Sequence, residues 1–381
     1  MVTVVALAAP LARELLPWLR VPPIVLELCA GIAIGPFGFD LIRVDEPIRV
    51  FSQIGLASLL YLAGREIRLH RMRGRVLELA LAGFGASLAL AFAVSELLRA
   101  AGLIHETLLV AIVLASTSLS VLIVPLKDAG QTGTRFGQLV IAAASLAEMG
   151  AIVLLSFFFS GKHSGVGTEL LHLGLFALLA AALYATITGG RSSERLSAAF
   201  DRLAETTSQI RVRADFALVA VAVGLASELG QEAILAAFTV GVLRGIGEEA
   251  DHHVVGTTPD RVEIVAFGIF IPFFFVTSGL QFDVDALFHS VTAALRLPVF
   301  FAALLLVRGL PAVLYRGYLG PRGALAAGFL QATSLSFVVV AAQIGVQLHA
   351  LSTASAAAFI GAGLLSVVFF PAIGLGLLRD R

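Results

Sequence analysis

Charge is scarce in this chain. Only 14% of its 381 residues are Asp, Glu, Lys or Arg, against roughly 25% in an average soluble domain. The 26 basic residues are matched by 26 acidic ones, and a net charge of zero removes the general attraction on which nucleic-acid binding depends. Cysteine is scarcer still. Cys29 is the single one, which excludes an intramolecular disulfide and reads as a small packing residue in a helix. The eight histidines form no metal-ligand spacing, and His252-His253 reads as a surface feature. There is no G-x-x-x-x-G-K-[ST] phosphate loop and no nucleophile elbow between a strand and a helix. These absences argue against an enzyme and against a bound cofactor.

Apolar residues fill the space that charge leaves. They make up 58% of the chain, the mean hydropathy is +0.95, and apolar stretches near twenty residues recur from end to end. That pattern predicts an all-α polytopic membrane protein. No cleavable signal peptide is evident, because the first apolar stretch leads straight into further spans. Thirteen spans are expected, near 2–19, 24–40, 51–67, 76–98, 107–127, 135–160, 168–190, 211–228, 231–247, 262–280, 290–315, 322–346 and 353–378. The longest polar stretch, about 189–213, reads as an amphipathic linker. With the N-terminus outside, loops on the inner side collect nineteen Lys and Arg. The outer side collects four: Arg43, Arg49, Arg99 and Lys162. This alternation predicts a cytoplasmic C-terminus, in what is expected to be a bacterial inner membrane.

One short string recurs. TSLS appears in "LASTSLSVLIVPL" (Thr117–Ser120) and again in "LQATSLSFVVVAA" (Thr333–Ser336). The copies fall on the fifth and twelfth spans, seven crossings apart, and therefore run in opposite directions. That suggests inverted repeats, 24–160 and 231–378, joined by linker helices and a cytosolic linker over 161–230. Transporters of this kind place broken helices near the bilayer midplane. The hydroxyls of Ser116, Ser120, Thr333, Ser334 and Ser336 can satisfy backbone groups freed where a helix unwinds. They can also simply pack helices together.

A few charges lie deep in the apolar spans. Glu148 sits mid-span in "IAAASLAEMGAIVLL" and Arg308 in "FAALLLVRGLPAVLY". A charge at the bilayer centre costs about 2.5–3.5 kcal/mol on insertion scales, so each is a functional candidate. Glu148 reads as functional, because it lies one span after the first TSLS. Arg308 reads equally well as the neutraliser of half-helix carbonyl ends or of Glu148. Glu27, Glu78 and Glu96 read as structural, and Arg13 as a partner of Glu14 near the membrane edge.

At this point the motifs resemble a known family. "VPPIVLELCAGIAIGPFGF" is similar to the second-helix signature of the Kef- and Nap-type monovalent cation/proton antiporters, matching at Pro22, Glu27, Gly31, Gly35 and Pro36, with Leu26 in place of the usual glycine. "LLYLAGREIRL" and "PFFFVTSGLQFD" resemble two further family stretches. The resemblance covers nearly the whole chain. It implies thirteen helices with discontinuous, crossed helices five and twelve, a homodimer, and exchange of Na+ or K+ for protons. The family's cytosolic nucleotide-binding domain is not expected in a chain ending at Arg381. The family's paired polar and acidic site on helix six reads Ala147-Glu148 here, its helix-eleven basic residue matches Arg308, and the acidic motif of helix twelve is replaced by Thr333-Ser334-Leu335.

The mechanism expected at such a site needs one group that holds either a proton or a cation. Glu148 fills that role, with Thr117, Ser118 and Ser145 as further oxygen ligands for the transported ion and Arg308 compensating charge. One carboxylate exchanging one proton for one cation moves no net charge, and Arg stays protonated. The expectation is therefore electroneutral exchange. Two rival readings remain open: a sodium-coupled organic-anion symporter of similar fold, and a non-transporting membrane sensor or scaffold.

Overall fold

The computed structural model describes residues 2–15, 22–66, 74–159, 209–228, 233–250 and 261–379. The span expected near 168–190, most of the polar stretch 189–213 and the pair His252-His253 lie outside the described residues, as do the side chains of Arg13 and Glu14. Every regular element among the described residues is helical. Six helical stretches there are long and apolar enough to cross a bilayer, so this is an integral membrane protein.

In chain order the helices are α1 (Val2–Leu15), α2 (Pro23–Ile34), α3 (Glu46–Glu66), α4 (Arg75–Ala100), α5 (Thr107–Ala115), α6 (Leu119–Asp128) and α7 (Arg135–Phe159). Then come α8 (Ile210–Glu228), α9 (Ala233–Ala250), α10 (Arg261–Leu280, with a π-helical turn at Ala266–Phe270), the short α11 (Val284–Phe288) and α12 (Val291–Gly309). A 3-10 segment, Leu310–Tyr315, leads to α13 (Arg316–Gln331), followed by α14 (Ser336–Gln347) and α15 (Thr353–Arg379).

Two expected spans are broken where the repeated string lies. Span five is α5 and α6, separated by 116–118; span twelve is α13 and α14, separated by 332–335. The boundary between spans eleven and twelve is set by Gly320, whose φ of 77° and ψ of 171° lie outside the helical region. That conformation suits glycine, and Pro321 restricts the residue before it to non-helical angles.

The helices divide into two compact units. One comprises 1–49, 71–151 and 275–381; the other comprises 50–70 and 152–274. In the first, α15 packs along α12, α13 and α14, and α4 packs on α5. Helix α5 (TLLVAIVLA) is apolar all round and is buried from Leu109 to Ala115, the expected fate of a helix without a polar face. Phe300 of α12 stacks on Phe359 of α15 with ring centroids 3.8 Å apart. A core of Leu119, Leu122, Leu139, Val140, Leu330 and Tyr315 surrounds the broken spans.

The second unit is built on small residues. Gly64 of α3 lies against the Phe238 carbonyl of α9, and Gly241 of α9 against the Tyr61 carbonyl of α3, so a side chain at either glycine would strike backbone. Close backbone approach of this kind is how helices pack where lipid removes the hydrophobic drive. An ion pair between Arg244 Nε and Asp215 Oδ1, at 2.8 Å, ties α9 to α8.

Candidate functional site

The two TSLS strings touch. Ser118 N–H donates to the Thr333 carbonyl at 3.2 Å, and Leu335 N–H donates to Ser118 Oγ at 3.0 Å. The hydroxyls of Ser116 and Ser334 are 3.0 Å apart. Thr117 Oγ1 donates to the carbonyl of Gln331 at 2.6 Å. Each unwound stretch thus supplies partners for the other, which answers the requirement that buried backbone groups be paired. Ser366 of α15 adds a clamp: its Oγ accepts from Ser334 N–H at 3.1 Å and donates to the Gly363 carbonyl at 2.7 Å.

A broken helix leaves dipole ends in the membrane interior. The last carbonyls of α5 and α13 carry partial negative charge, and the first N–H groups of α6 and α14 carry partial positive charge. The two deep charges fall on opposite ends. Arg308, 1% exposed, donates from Nε to Thr117 Oγ1 at 2.8 Å. Thr117 in turn donates to Gln331, the last residue of α13. A guanidinium is thereby linked to a helix C-terminus through a single hydroxyl. Two further donors of Arg308 reach Ser87 Oγ of α4 at 2.9 Å and Gln331 Oε1 at 3.3 Å. Among the described residues, its hydrogen-bond partners are neutral oxygens throughout. Tyr315 completes the shell by donating to Gln331 Oε1 at 3.5 Å, and the space for its hydroxyl exists because residue 83 is glycine.

Glu148 serves the other polarity. It is 5% exposed on α7, and its Oε2 accepts from the backbone N–H of Leu119 at 3.1 Å. Leu119 is the first residue of α6, whose N-cap Ser118 makes no side-chain cap bond. A carboxylate therefore caps a half-helix N-terminus inside the membrane domain, the arrangement that helix dipoles favour.

The crossing brings together Glu148, Ser116, Thr117, Ser118, Thr333, Ser334 and Arg308. Ser145, 1% exposed, lies one turn before Glu148 on the same face of α7. Ser336 opens α14, and its Oγ, like the Oγ1 of Thr333, is buried without a hydrogen-bond partner among the described residues. Ser120 sits in the first turn of α6, partly exposed, away from the bonds between the two unwound stretches. Thr117, expected as an ion ligand, accepts from the Arg308 guanidinium at Oγ1 and donates to the Gln331 carbonyl. Ser87, Gln331, Tyr315 and Ser366 are absent from the set that the sequence marks. Gln331 has a visible signal, a polar amide two residues before the second TSLS, whereas single hydroxyls in apolar helices resemble ordinary packing residues.

Comparison with known proteins places this architecture. Residues 3–375 match the family model described as the transmembrane sodium/hydrogen exchanger. A Bacillus subtilis protein named as a candidate Na+/H+ antiporter, YjbQ, is 30% identical over 370 residues, which is 93% of this chain and 58% of that one. The chain thus spans somewhat more than half the length of that relative. The Na+/H+-K+ antiporter GerN of Bacillus cereus is 25% identical over 308 residues, covering 78% of this chain and 75% of GerN. Among solved structures, the sodium/proton antiporter MjNhaP1 of Methanocaldococcus jannaschii superposes with a TM-score of 0.64 at 16% identity, covering 99% of this chain and 97% of that one. At that identity the likeness establishes the fold.

Proposed function

This chain belongs to the sodium/hydrogen exchanger family, and on that footing we propose that it exchanges a monovalent cation, Na+ or K+, for a proton by alternating access at Glu148. The observation that carries the reading is the bond from Leu119 N–H to Glu148 Oε2. It puts a buried carboxylate at the end of the first unwound stretch, 116–118, which is itself bonded to the second. A carboxylate there holds a proton or a cation, and the two compete for the same oxygens.

Ser118 and Ser145 are the side-chain oxygens assigned to the ion beside Glu148, with backbone carbonyls of the unwound stretches completing the shell that a hard cation requires. Thr117 is assigned to the arginine instead. Arg308 takes no part in ion binding. It holds the C-terminal end of α13 through Thr117 and remains charged throughout, because an arginine does not release its proton in a protein. With one exchanging carboxylate, the cycle is one cation for one proton and moves no net charge. The working unit is taken as a homodimer in the bilayer, N-terminus outside and C-terminus cytoplasmic, with 24–160 and 231–378 as inverted repeats.

The test is reconstitution into proteoliposomes loaded with a pH-sensitive dye. Adding Na+ or K+ outside is expected to change internal pH at a rate independent of an imposed membrane potential. A voltage-dependent rate overturns the one-for-one stoichiometry. Sodium-driven uptake of an organic anion without a pH change identifies a symporter, and silence in both assays identifies a scaffold; either result overturns the exchange reading.

A further inference from the structure

Glu27 stands apart from the crossing. A structural role for this acid requires a partner, and the described residues provide none for one of its oxygens. Glu27 is 5% exposed, and its Oε2 is shut away from solvent without a hydrogen bond. The surface acids behave differently: Glu96 is paired with Arg99 at 2.7 Å and Asp40 with Arg43 at 3.0 Å.

On the side of α10, the neighbourhood leaves no room for a partner among the described residues. Gly31, one turn after Glu27 and on the same face of α2, lies directly against α10. A Cβ at Gly31 would meet the Val276 carbonyl and, at 3.0 Å, the Cα of Gly279. A Cβ at Gly279 would meet the Leu28 carbonyl and, at 2.8 Å, both the Cα of Gly31 and the nitrogen of Ile32. The two backbones are as close as glycine permits. Glu27 is the one charged residue of α2, and the Ile271–Leu280 part of α10 has no titratable side chain. Helix α1, which also packs on α2, carries Arg13 and Glu14 near its C-terminal end.

A carboxylate left bare in such a place is among the costliest arrangements in a protein, and the group neutralises instead. Either a proton or a metal cation can supply the balancing charge. A cation needs room to sit among its oxygen ligands, and two backbones as close as these leave none between them. The hydroxyl of Thr277, also buried and unpartnered among the described residues, lies two residues from Gly279 and so faces away from α2.

We infer that Glu27 is a second proton-binding site of the protein, separate from the crossing, and that its ionisation strains the α2–α10 seam on whose face it lies. The seam then reports proton concentration independently of the exchange at Glu148, and a protein with Glu27 ionised holds α2 away from Gly279.

Two measurements on the full-length protein in lipid nanodiscs test this. The first is the infrared difference spectrum of wild type minus Glu27→Gln at neutral pH. The expected difference contains the carbonyl stretch of an un-ionised carboxyl; a difference containing only carboxylate stretches overturns the proposal. If Glu27→Gln does not fold, Glu27→Asp replaces it: the carbonyl band is expected to move, and an unmoved band overturns the proposal. The second uses Cys29, the single cysteine, which is exposed on α2 and accepts an environment-sensitive fluorophore. Its emission is expected to titrate with pH in wild type and to be flat in Glu27→Gln. Identical titrations in both overturn the coupling. Glu148→Gln, which leaves both readouts in place, separates failure of this proposal from failure of the exchange reading.

Discussion

Arg308 reaches Thr117 with its Nε proton at 2.8 Å across 191 positions of sequence. That bond ties the guanidinium to the first unwound stretch, and Thr117 passes the contact on to the Gln331 carbonyl at 2.6 Å. Replacing Thr117 by Val removes acceptor and donor together while keeping the shape. A buried group left unsatisfied costs about 1–3 kcal/mol, and more when charged. Thr117→Val is therefore expected to lose roughly 3 kcal/mol or more. Thr117→Ser, which loses one methyl, should lose about 1 kcal/mol. Thermal-shift measurements in detergent compare the two.

The cap on α6 makes a separate prediction about stability. Gln at 148 still offers an oxygen to Leu119 N–H, whereas Ala leaves that buried donor bare. Glu148→Gln should melt close to the wild type, and Glu148→Ala should melt lower, by the equivalent of about 1–2 kcal/mol for a lost N-terminal cap. Equal melting temperatures for the two variants would show that the bond does not stabilise the fold.

The glycine seam predicts a contrast between positions. Gly279→Ala places a methyl where Leu28, Gly31 and Ile32 already have backbone atoms, and overpacking of this kind costs about 1–3 kcal/mol. Gly85→Ala in α4 meets nothing within 4 Å and should leave stability unchanged or raise it, since Ala favours a helix over Gly by about 1 kcal/mol. Folded yield and melting temperature of the two variants check this.

In the loop after α2, Arg43 bonds Asp40 at both carboxylate oxygens. That hydrogen bonding and the arginine's charge hold the Asp40 carboxyl below the usual aspartate range. The sign follows: any stabilisation is present above the ordinary carboxylate pKa and is lost as pH falls through the lowered one. Both groups are largely exposed, and exposed pairs contribute little. Asp40→Asn is expected to melt with the wild type at neutral pH. Asp40→Val should melt lower for a different reason: residue 40 has a φ of 48°, a left-handed conformation that Asn tolerates and a β-branched residue does not.

Much of this is legible in the sequence because bilayer physics leaves few alternatives. Apolar runs mark the spans, and Glu148 and Arg308 are conspicuous as charges within oil. The repeated TSLS marks both breaks. How the breaks are held is not legible. Neither 116–118 nor 332–335 contains Gly or Pro, so no local rule ends the helices there. The unwinding is specified by the partner stretch, which becomes visible only when Ser118 and Thr333, 215 positions apart, are seen bonded to each other. The shell of Arg308 is hidden for a related reason. Ser87 looks like a packing residue until a guanidinium is placed beside it. Glu27 reads as a structural acid because a sequence shows that an acid is present and does not show which of its oxygens lacks a partner.

Cation-driven proton movement in proteoliposomes, wild type against Glu148→Gln at matched folded amounts, tests the central claim most directly. The account predicts a pH change on adding Na+ or K+ in the wild type and none in Glu148→Gln, with the variant still folded. Proton movement of wild-type rate in folded Glu148→Gln would contradict it.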